Sequence, residues 1–288
     1  MSEQNAASIV RAEGITKSFG DFRALDGISF NIPPGSIVGL IGPNGAGKTT
    51  TLKALLGLTD FEGELEVLGS DPRKNRQELM QRVCFISDVG VLPKWLKVAD
   101  AVDFLEAIHP RFNRDRAIEL LATTDIRKGS KVKQLSKGMV TQLHLALVMA
   151  IDVELLVLDE PTIGLDILYR KEFYDRLLND YFDHETSIII STHQVEEIES
   201  LLTHLLFIDR GRIVLDSAMD DLADQYREVL VVPECVEQAN DLCPISSREL
   251  LGKKRMIFEH VDVDLLRPLG ELHVPSVADL FVAKMQRG

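Results

Sequence analysis

Cysteine is scarce in this 288-residue sequence, and the three cysteines that occur lack paired spacing. Cys84, Cys235 and Cys243 form no C-x-x-C motif. An odd, scattered set argues against both a disulfide framework and a structural zinc site. The cysteine content therefore favours a reducing compartment such as the cytoplasm.

Long apolar segments are also missing. The longest apolar run, at 145–151, is much shorter than the roughly 20 residues that cross a bilayer. Residues 1–7 are polar and lack the apolar segment of a signal peptide. We expect neither secretion nor a membrane span from this chain alone.

Basic residues are outnumbered by acidic ones, 32 to 45, which gives a formal net charge of −13. A surface this negative is repelled by phosphate backbones and by anionic lipid headgroups. The charge balance therefore predicts no nucleic-acid partner.

What the sequence does contain is the composition of a folded domain, with 45% hydrophobic and 27% charged residues. The length favours one large domain, alone or with a small appendage. Continuous apolar runs of four to six residues are typical of strands buried on both faces of a parallel sheet. Four such runs occur, at 37–41, 83–87, 155–158 and 187–191.

Three other regions have different patterns. Before residue 40, short apolar stretches alternate with turn signals, including Asp26-Gly27, and predict antiparallel strands. Residues of about 89–150 carry helical patterns and predict a helical insertion. After Ser217 a helix and short strands near 229–232 and 255–258 predict a small α+β extension. The predicted domains are 8–218 and an accessory region at 219–288.

The strongest motif is a glycine-rich loop that follows the first apolar run and precedes a helical pattern. Glycines and a helix N-terminus aim backbone N–H groups at phosphate, the lysine reaches the β- and γ-phosphates, and the threonine hydroxyl serves Mg²⁺. We therefore predict a nucleoside triphosphate and Mg²⁺ as cofactors and a phosphate-loop NTPase core of the α/β class. The loop residues, with Thr50 beside them, are Gly42, Pro43, Asn44, Gly45, Ala46, Gly47, Lys48 and Thr49.

Two acids end the run at 155–158. Ligands of open α/β sheets bind at the carboxyl ends of strands, so Asp159 is placed to hold Mg²⁺ and Glu160 to polarise the attacking water. Taken alone, two such acids are more often a solvated turn, but the phosphate loop reverses that preference. By the same argument His193, which follows the run at 187–191, is the candidate site residue among the seven histidines.

With these residues the chain resembles the ATP-binding subunits of ATP-binding-cassette (ABC) transporters over about residues 9–217. Leu135-Ser136-Lys137-Gly138-Met139 is similar to the family's Leu-Ser-Gly-Gly-Gln signature, and Gly164-Leu165-Asp166 to the loop after the catalytic glutamate. The resemblance implies that Phe19 lies under the adenine and that His193 contacts the γ-phosphate.

The resemblance also implies composite sites in a homodimer or heterodimer. Ser136, Gly138 and Asp166 of one subunit would contact ATP held by the other. Independently, Ser136 is a good N-cap for a helix over 137–151, and a capped core helix is the alternative explanation. Asp88 stands where the family usually has glutamine, and both a metal-ligand role and an ordinary turn remain open.

Implied partners are integral membrane transporter subunits, which would hold the chain at the inner face of the cell membrane. Trp95 lies where the family docks a membrane subunit, although a lone tryptophan is more often core. The signature and residues 275–281 are similar to two-component exporters. A soluble ATPase for assembly, such as iron–sulfur cluster loading, and an ATP-gated dimer clamp with weak hydrolysis are the alternatives.

Overall fold

The computed structural model describes residues 8–86, 92–163, 166–182, 185–250 and 252–286. The strands are β1 (Val10–Phe19), β2 (Phe22–Ile32), β3 (Ile37–Ile41), β4 (Glu62–Val67), β5 (Val83–Ile86), β6 (Leu155–Asp159), β7 (Ser187–Thr192), β8 (His204–Asp209), β9 (Arg212–Ala218), β10 (Tyr226–Val231), β11 (Ser246–Leu250), β12 (Lys253–Glu259) and β13 (Gly270–His273). The α-helices are α1 (Lys48–Leu55), α2 (Arg76–Leu79), α3 (Val98–Ile108), α4 (Arg114–Ala122), α5 (Lys137–Val148), α6 (Ile167–Arg176), α7 (Met219–Gln225), α8 (Val236–Asp241), α9 (Val263–Leu266) and α10 (Val277–Met285). A π-helical segment, Leu177–Tyr181, continues α6.

A six-stranded sheet in the order β5-β6-β7-β3-β8-β9 forms the centre. All neighbouring strands are parallel except β9, which is antiparallel to β8. Every residue of β3, β6 and β7 is buried, as the continuous apolar runs predict. The parallel register aligns the carboxyl ends of these strands at one edge. The predicted α/β class with a mostly parallel sheet is confirmed.

A separate antiparallel sheet, in the order β2-β1-β4, packs beside this core. The expected turn at Asp26-Gly27 is wrong, because β2 runs through it. The register shifts between the pairs Lys17–Leu25 and Ile15–Ile28, and Gly27 has a φ of 68°. A glycine at positive φ accommodates a β-bulge, so the strand bends there without ending.

The helical region between β5 and β6 has its own small apolar core, formed by α3, α4 and α5. Within the described residues 92–150 the structure shows only isolated bridges and no strand, in agreement with the predicted insertion. Helix α5 has two apolar faces. Leu143 and Leu147 belong to the helical core, whereas Leu145 and Met149 pack into the central core.

The C-terminal residues form a four-stranded antiparallel sheet in the order β11-β12-β10-β13. Strands β11 and β13 are missing from the sequence expectation because both are short, polar and largely exposed. Helix α10 belongs to the central core through Val277 and Leu280, and Phe281 makes an edge-to-face contact with Phe207 of β8. The extension is therefore packed into the central core and is not a loose tail.

Candidate functional site

The glycine-rich loop joins β3 to α1, at the carboxyl edge of the central sheet. A Cβ atom on Gly42 would lie 2.3 Å from the backbone oxygen of Ile208, so no larger residue fits there. Within the loop, Gly42 and Ala46 are buried, whereas Pro43, Asn44 and Gly45 are exposed. The loop therefore rests on β8 and presents its outer turn to solvent.

Lys48, the first residue of α1, turns its ammonium group into this loop. Its Nζ donates hydrogen bonds to the carbonyl oxygens of Gly42 (2.7 Å) and Pro43 (3.3 Å). The same atom lies 3.2 Å from Oε1 of Glu160. Because Lys48 is only 6% exposed, these oxygens compensate a charge that burial would otherwise destabilise.

A cavity of about 270 Å³ opens beside the loop and brings several predicted residues together. It also contains Phe22 and Ala24, which the sequence analysis missed. Phe22 pairs directly with Phe19 across the tip of the β1–β2 hairpin, and both rings are more than half exposed. The two residues between them, Gly20-Asp21, are typical of a tight hairpin turn and could have predicted that Phe22 lies beside Phe19. The lining residues are Phe19, Phe22, Ala24, Asn44, Gly45, Gly47, Lys48, Thr49, Thr50 and Glu160.

The two acids after β6 have different surroundings. Asp159 is buried and accepts a hydrogen bond from the Ser191 hydroxyl, 2.5 Å away. The backbone turns at Glu160, just after β6 ends, and has a positive φ of 49° there. Both of its carboxylate oxygens lie 3.0–3.1 Å from Nδ1 of His193. The structure thus joins Glu160, His193 and Lys48 through direct contacts, and Lys48 and Glu160 line the cavity.

The helix predicted after Ser136 is present, and Ser136 caps it by accepting a hydrogen bond from the Met139 N–H (3.2 Å). Asp166 similarly caps α6 through Leu168 and Tyr169. Two sequence expectations, on Asp88 and on Gly164-Leu165, lie outside the described residues.

Gly138 of the signature lies under an aromatic ring of its own chain. A Cβ atom there would meet the ring of Tyr169 at 2.2 Å. Four residues on, Gln142 donates a hydrogen bond to Glu172 (3.0 Å), which joins α5 to α6 a second time. Glycine at 138 therefore has a steric reason within one chain, which the sequence pattern alone does not reveal.

A polar cluster connects α6 to the segment that follows His193. Arg170 contacts Glu197 at 2.6 Å and also hydrogen-bonds Gln194. Thr162 shares a hydrogen bond with Tyr174 (3.3 Å), and burial raises the pKa of the Tyr174 hydroxyl, which keeps it protonated. The sequence did not predict these contacts. They join α6 to Thr162, which follows Glu160, and to the segment after His193.

Trp95 is 71% exposed, which excludes the core explanation for this residue. Phe104 and Ile108, one turn apart on α3, are also exposed. None of the helices within the described ranges has the length and apolar character of a membrane span.

Comparison with known proteins decides the family. Residues 25–163 match the sequence profile of a family described as ABC transporter. Nod factor export ATP-binding protein I of Cupriavidus metallidurans is 34% identical over 281 residues, which cover 91% of this chain and 90% of that protein. The chain belongs to the ATP-binding subunits of ABC transporters. As a member, this ABC subunit binds and hydrolyses ATP to power a transporter.

Other matches agree with the ABC assignment. Bacitracin transport ATP-binding protein BcrA of Bacillus licheniformis is 31% identical, over 78% of this chain and 74% of that protein. A solved ATP-binding subunit of an ABC transporter superposes with a TM-score of 0.66 at 22% identity, over 75% of this chain and 92% of that one, and shows the shared fold. CbiO1 from Clostridium perfringens, described as part of the transporter complex CbiONQ, has a TM-score of 0.63 at 25% identity, covering 73% and 88%.

Proposed function

We propose that this ABC subunit powers export through ATP-driven closure of a dimer coupled to separate membrane subunits. The observation that carries the proposal is the cavity in which the phosphate loop, two exposed aromatic rings and Glu160 meet. Relatives described as serving Nod factor export, bacitracin transport and daunorubicin resistance support the exporter direction.

Within the cavity, Phe19 and Phe22 offer faces for the adenine, and the loop amides with Lys48 bind the phosphates. To do so, Lys48 must exchange its contact with Glu160 for phosphate oxygens. Glu160, released from the lysine and oriented by His193, then takes the proton of the attacking water. His193, with a partly exposed ring, contacts the γ-phosphate.

The oxygen donors at this edge suit Mg²⁺, which prefers few protein ligands together with phosphate oxygens and water. Thr49 supplies an exposed hydroxyl at the start of α1, and α1 packs against β6, which carries the Asp159 carboxylate. Thr49 and Asp159 would hold the ion. When bound, Mg²⁺ neutralises charge on the β- and γ-phosphates.

The second half of each site comes from a partner subunit in this proposal. The α5 N-terminus at Ser136 and the α6 N-terminus at Asp166 are exposed, so both can face a second copy or a related subunit. Gly138 acts with Ser136, although Tyr169 covers it within one chain. Residues 8–218 form the ATPase domain, with the helical insertion at about 89–150, and 219–288 form the accessory region.

Membrane subunits dock on the helical region in this proposal, and exposed Trp95, Phe104 and Ile108 are the contact candidates. Exposed aromatic side chains are frequent anchors of protein interfaces. Docking places the chain at the cytoplasmic face of the membrane.

The test is affinity purification of the tagged chain from detergent-solubilised membranes. We expect a polytopic membrane protein to copurify with the wild-type chain and to be lost with Trp95→Ala. Val274→Ala is the control, because Val274 is also exposed but lies in the accessory region. If the chain hydrolyses ATP but no membrane protein copurifies with it, the proposal is contradicted. That result would favour the alternative, a soluble ATPase that drives assembly.

A further inference from the structure

Ser191 lies on β7, directly beside Asp159 in the parallel register of β6 and β7. Its side chain is fully buried. It therefore cannot touch a nucleotide in the cavity, and any effect on hydrolysis must pass through its neighbours.

Two hydrogen bonds meet at the Ser191 hydroxyl. Oγ donates its proton to Oδ1 of Asp159 (2.5 Å) and accepts the backbone N–H of Glu160 (3.1 Å). A hydroxyl has one proton to donate and lone pairs to accept, so both bonds are satisfied together. The two bonds polarise one another in the same direction, from the Glu160 amide to the Asp159 carboxylate.

Glu160 needs this support because its backbone has a φ of 49°, a region that non-glycine residues seldom adopt. Its N–H also donates to the Ser191 carbonyl oxygen (3.1 Å). Ser191 thus contacts the strained turn through both its backbone and its side chain. This turn directs the Glu160 side chain toward Lys48 and His193.

We propose that Ser191 is a positioning residue for ATP hydrolysis, which orients the Asp159 carboxylate and holds the turn that aims Glu160. The inference rests on the proposed roles of Asp159 and Glu160. The phosphate loop makes no contact with Ser191 in the described hydrogen bonds, so we expect the Kd for ATP without metal to change little when its hydroxyl is removed.

Ser187 offers a matched control at the opposite end of the same strand. It is also fully buried, and its hydroxyl also accepts a backbone N–H, that of Gly35 (2.8 Å). Replacing either serine by alanine removes one buried hydroxyl from β7. Only Ser191→Ala removes a hydroxyl that contacts Asp159 and Glu160.

The experiment compares Ser191→Ala and Ser187→Ala with the wild-type chain. For Ser191→Ala we expect kcat to fall by about tenfold or more, the scale of a hydrogen bond to a charged group. We expect the Kd for ATP without Mg²⁺ to stay within about twofold. The affinity for Mn²⁺ in the presence of ADP, measured by electron paramagnetic resonance, should fall as well. Ser187→Ala should match the wild type in all three measurements.

Unchanged kcat and Mn²⁺ affinity in Ser191→Ala would overturn the inference, as would equal losses in both alanine variants. If Ser191→Ala fails to fold, Ser191→Cys decides, since a thiol of similar size is a much weaker donor; a wild-type kcat would then refute the role. Glu160→Gln is assayed in parallel. A normal rate in that variant contradicts the proposed base role of Glu160, on which the inference rests, whereas a slow Glu160→Gln with a normal Ser191→Ala contradicts only the inference.

Discussion

Lys48 and Glu160 form an ion pair across the nucleotide cavity, with 3.2 Å between Nζ and Oε1. The proposed phosphate-binding cation and the proposed base therefore neutralise each other in the chain alone. In the proposed mechanism ATP binding separates them, since the phosphates and the carboxylate compete for the same ammonium group. In the proposed mechanism, Glu160 is free of the lysine only once ATP is bound.

From this relationship we expect Glu160→Gln to slow hydrolysis by about 10²-fold or more, the scale of a positioned general base. Nucleotide binding should persist or tighten, because Lys48 loses a competing anion. Steady-state turnover and equilibrium binding measure the two effects. Glu154→Gln, the same chemical change just before β6, is the control, and a normal rate in Glu160→Gln would exclude the base role.

Lys48→Ala should act on the other half of the ion pair and weaken nucleotide binding itself. The substitution removes the cation that the carbonyl oxygens of Gly42 and Pro43 hold in the loop. Titration with a fluorescent ATP analogue gives the Kd. An unchanged Kd would show that the loop amides bind the phosphates without the lysine.

The hairpin tip predicts a two-ring adenine platform. We expect Phe19→Ala and Phe22→Ala each to raise the Kd for ATP by about 2- to 12-fold, the range for aromatic stacking beyond area burial. Phe104→Ala, another exposed phenylalanine but on α3, should have no effect on the Kd. If only Phe19→Ala weakens binding, Phe22 is a surface ring outside the site.

The contact between Gly138 and Tyr169 predicts a coupled pair. Gly138→Ala should destabilise the chain by about 1–3 kcal/mol, because the new methyl group overlaps the tyrosine ring. In a Tyr169→Ala background the same change should cost much less. Urea unfolding of the four chains gives the coupling energy. Additive effects would mean that the ring moves aside freely.

The position of α10 predicts that the accessory region unfolds together with the ATPase core. Leu280 is 1% exposed within the central apolar cluster, so Leu280→Ala should cost about 2–5 kcal/mol and lower a single thermal transition. Leu265→Ala, at an exposed position of α9, should shift stability by no more than about 0.5 kcal/mol. Two separate calorimetric transitions would show independent folding.

Much of the α/β core was predictable because its evidence is local. Strands buried on both faces must be apolar without alternation, and β3, β5, β6 and β7 coincide with such runs. The phosphate loop and the N-cap at Ser136 are equally local, since their function requires particular residues at fixed spacing. The polar edge strands β11 and β13 lack any such pattern.

The amino-acid sequence alone determined the fold class, the phosphate loop and the acids that follow β6, because each depends on neighbouring residues. Only the tertiary structure decided that Phe22 joins Phe19, that Tyr169 covers Gly138, and that Ser191 binds Asp159. These partners come from different elements, and strand register and helix packing set their contacts. A one-residue change of register would turn Ser191 to the opposite face of the sheet.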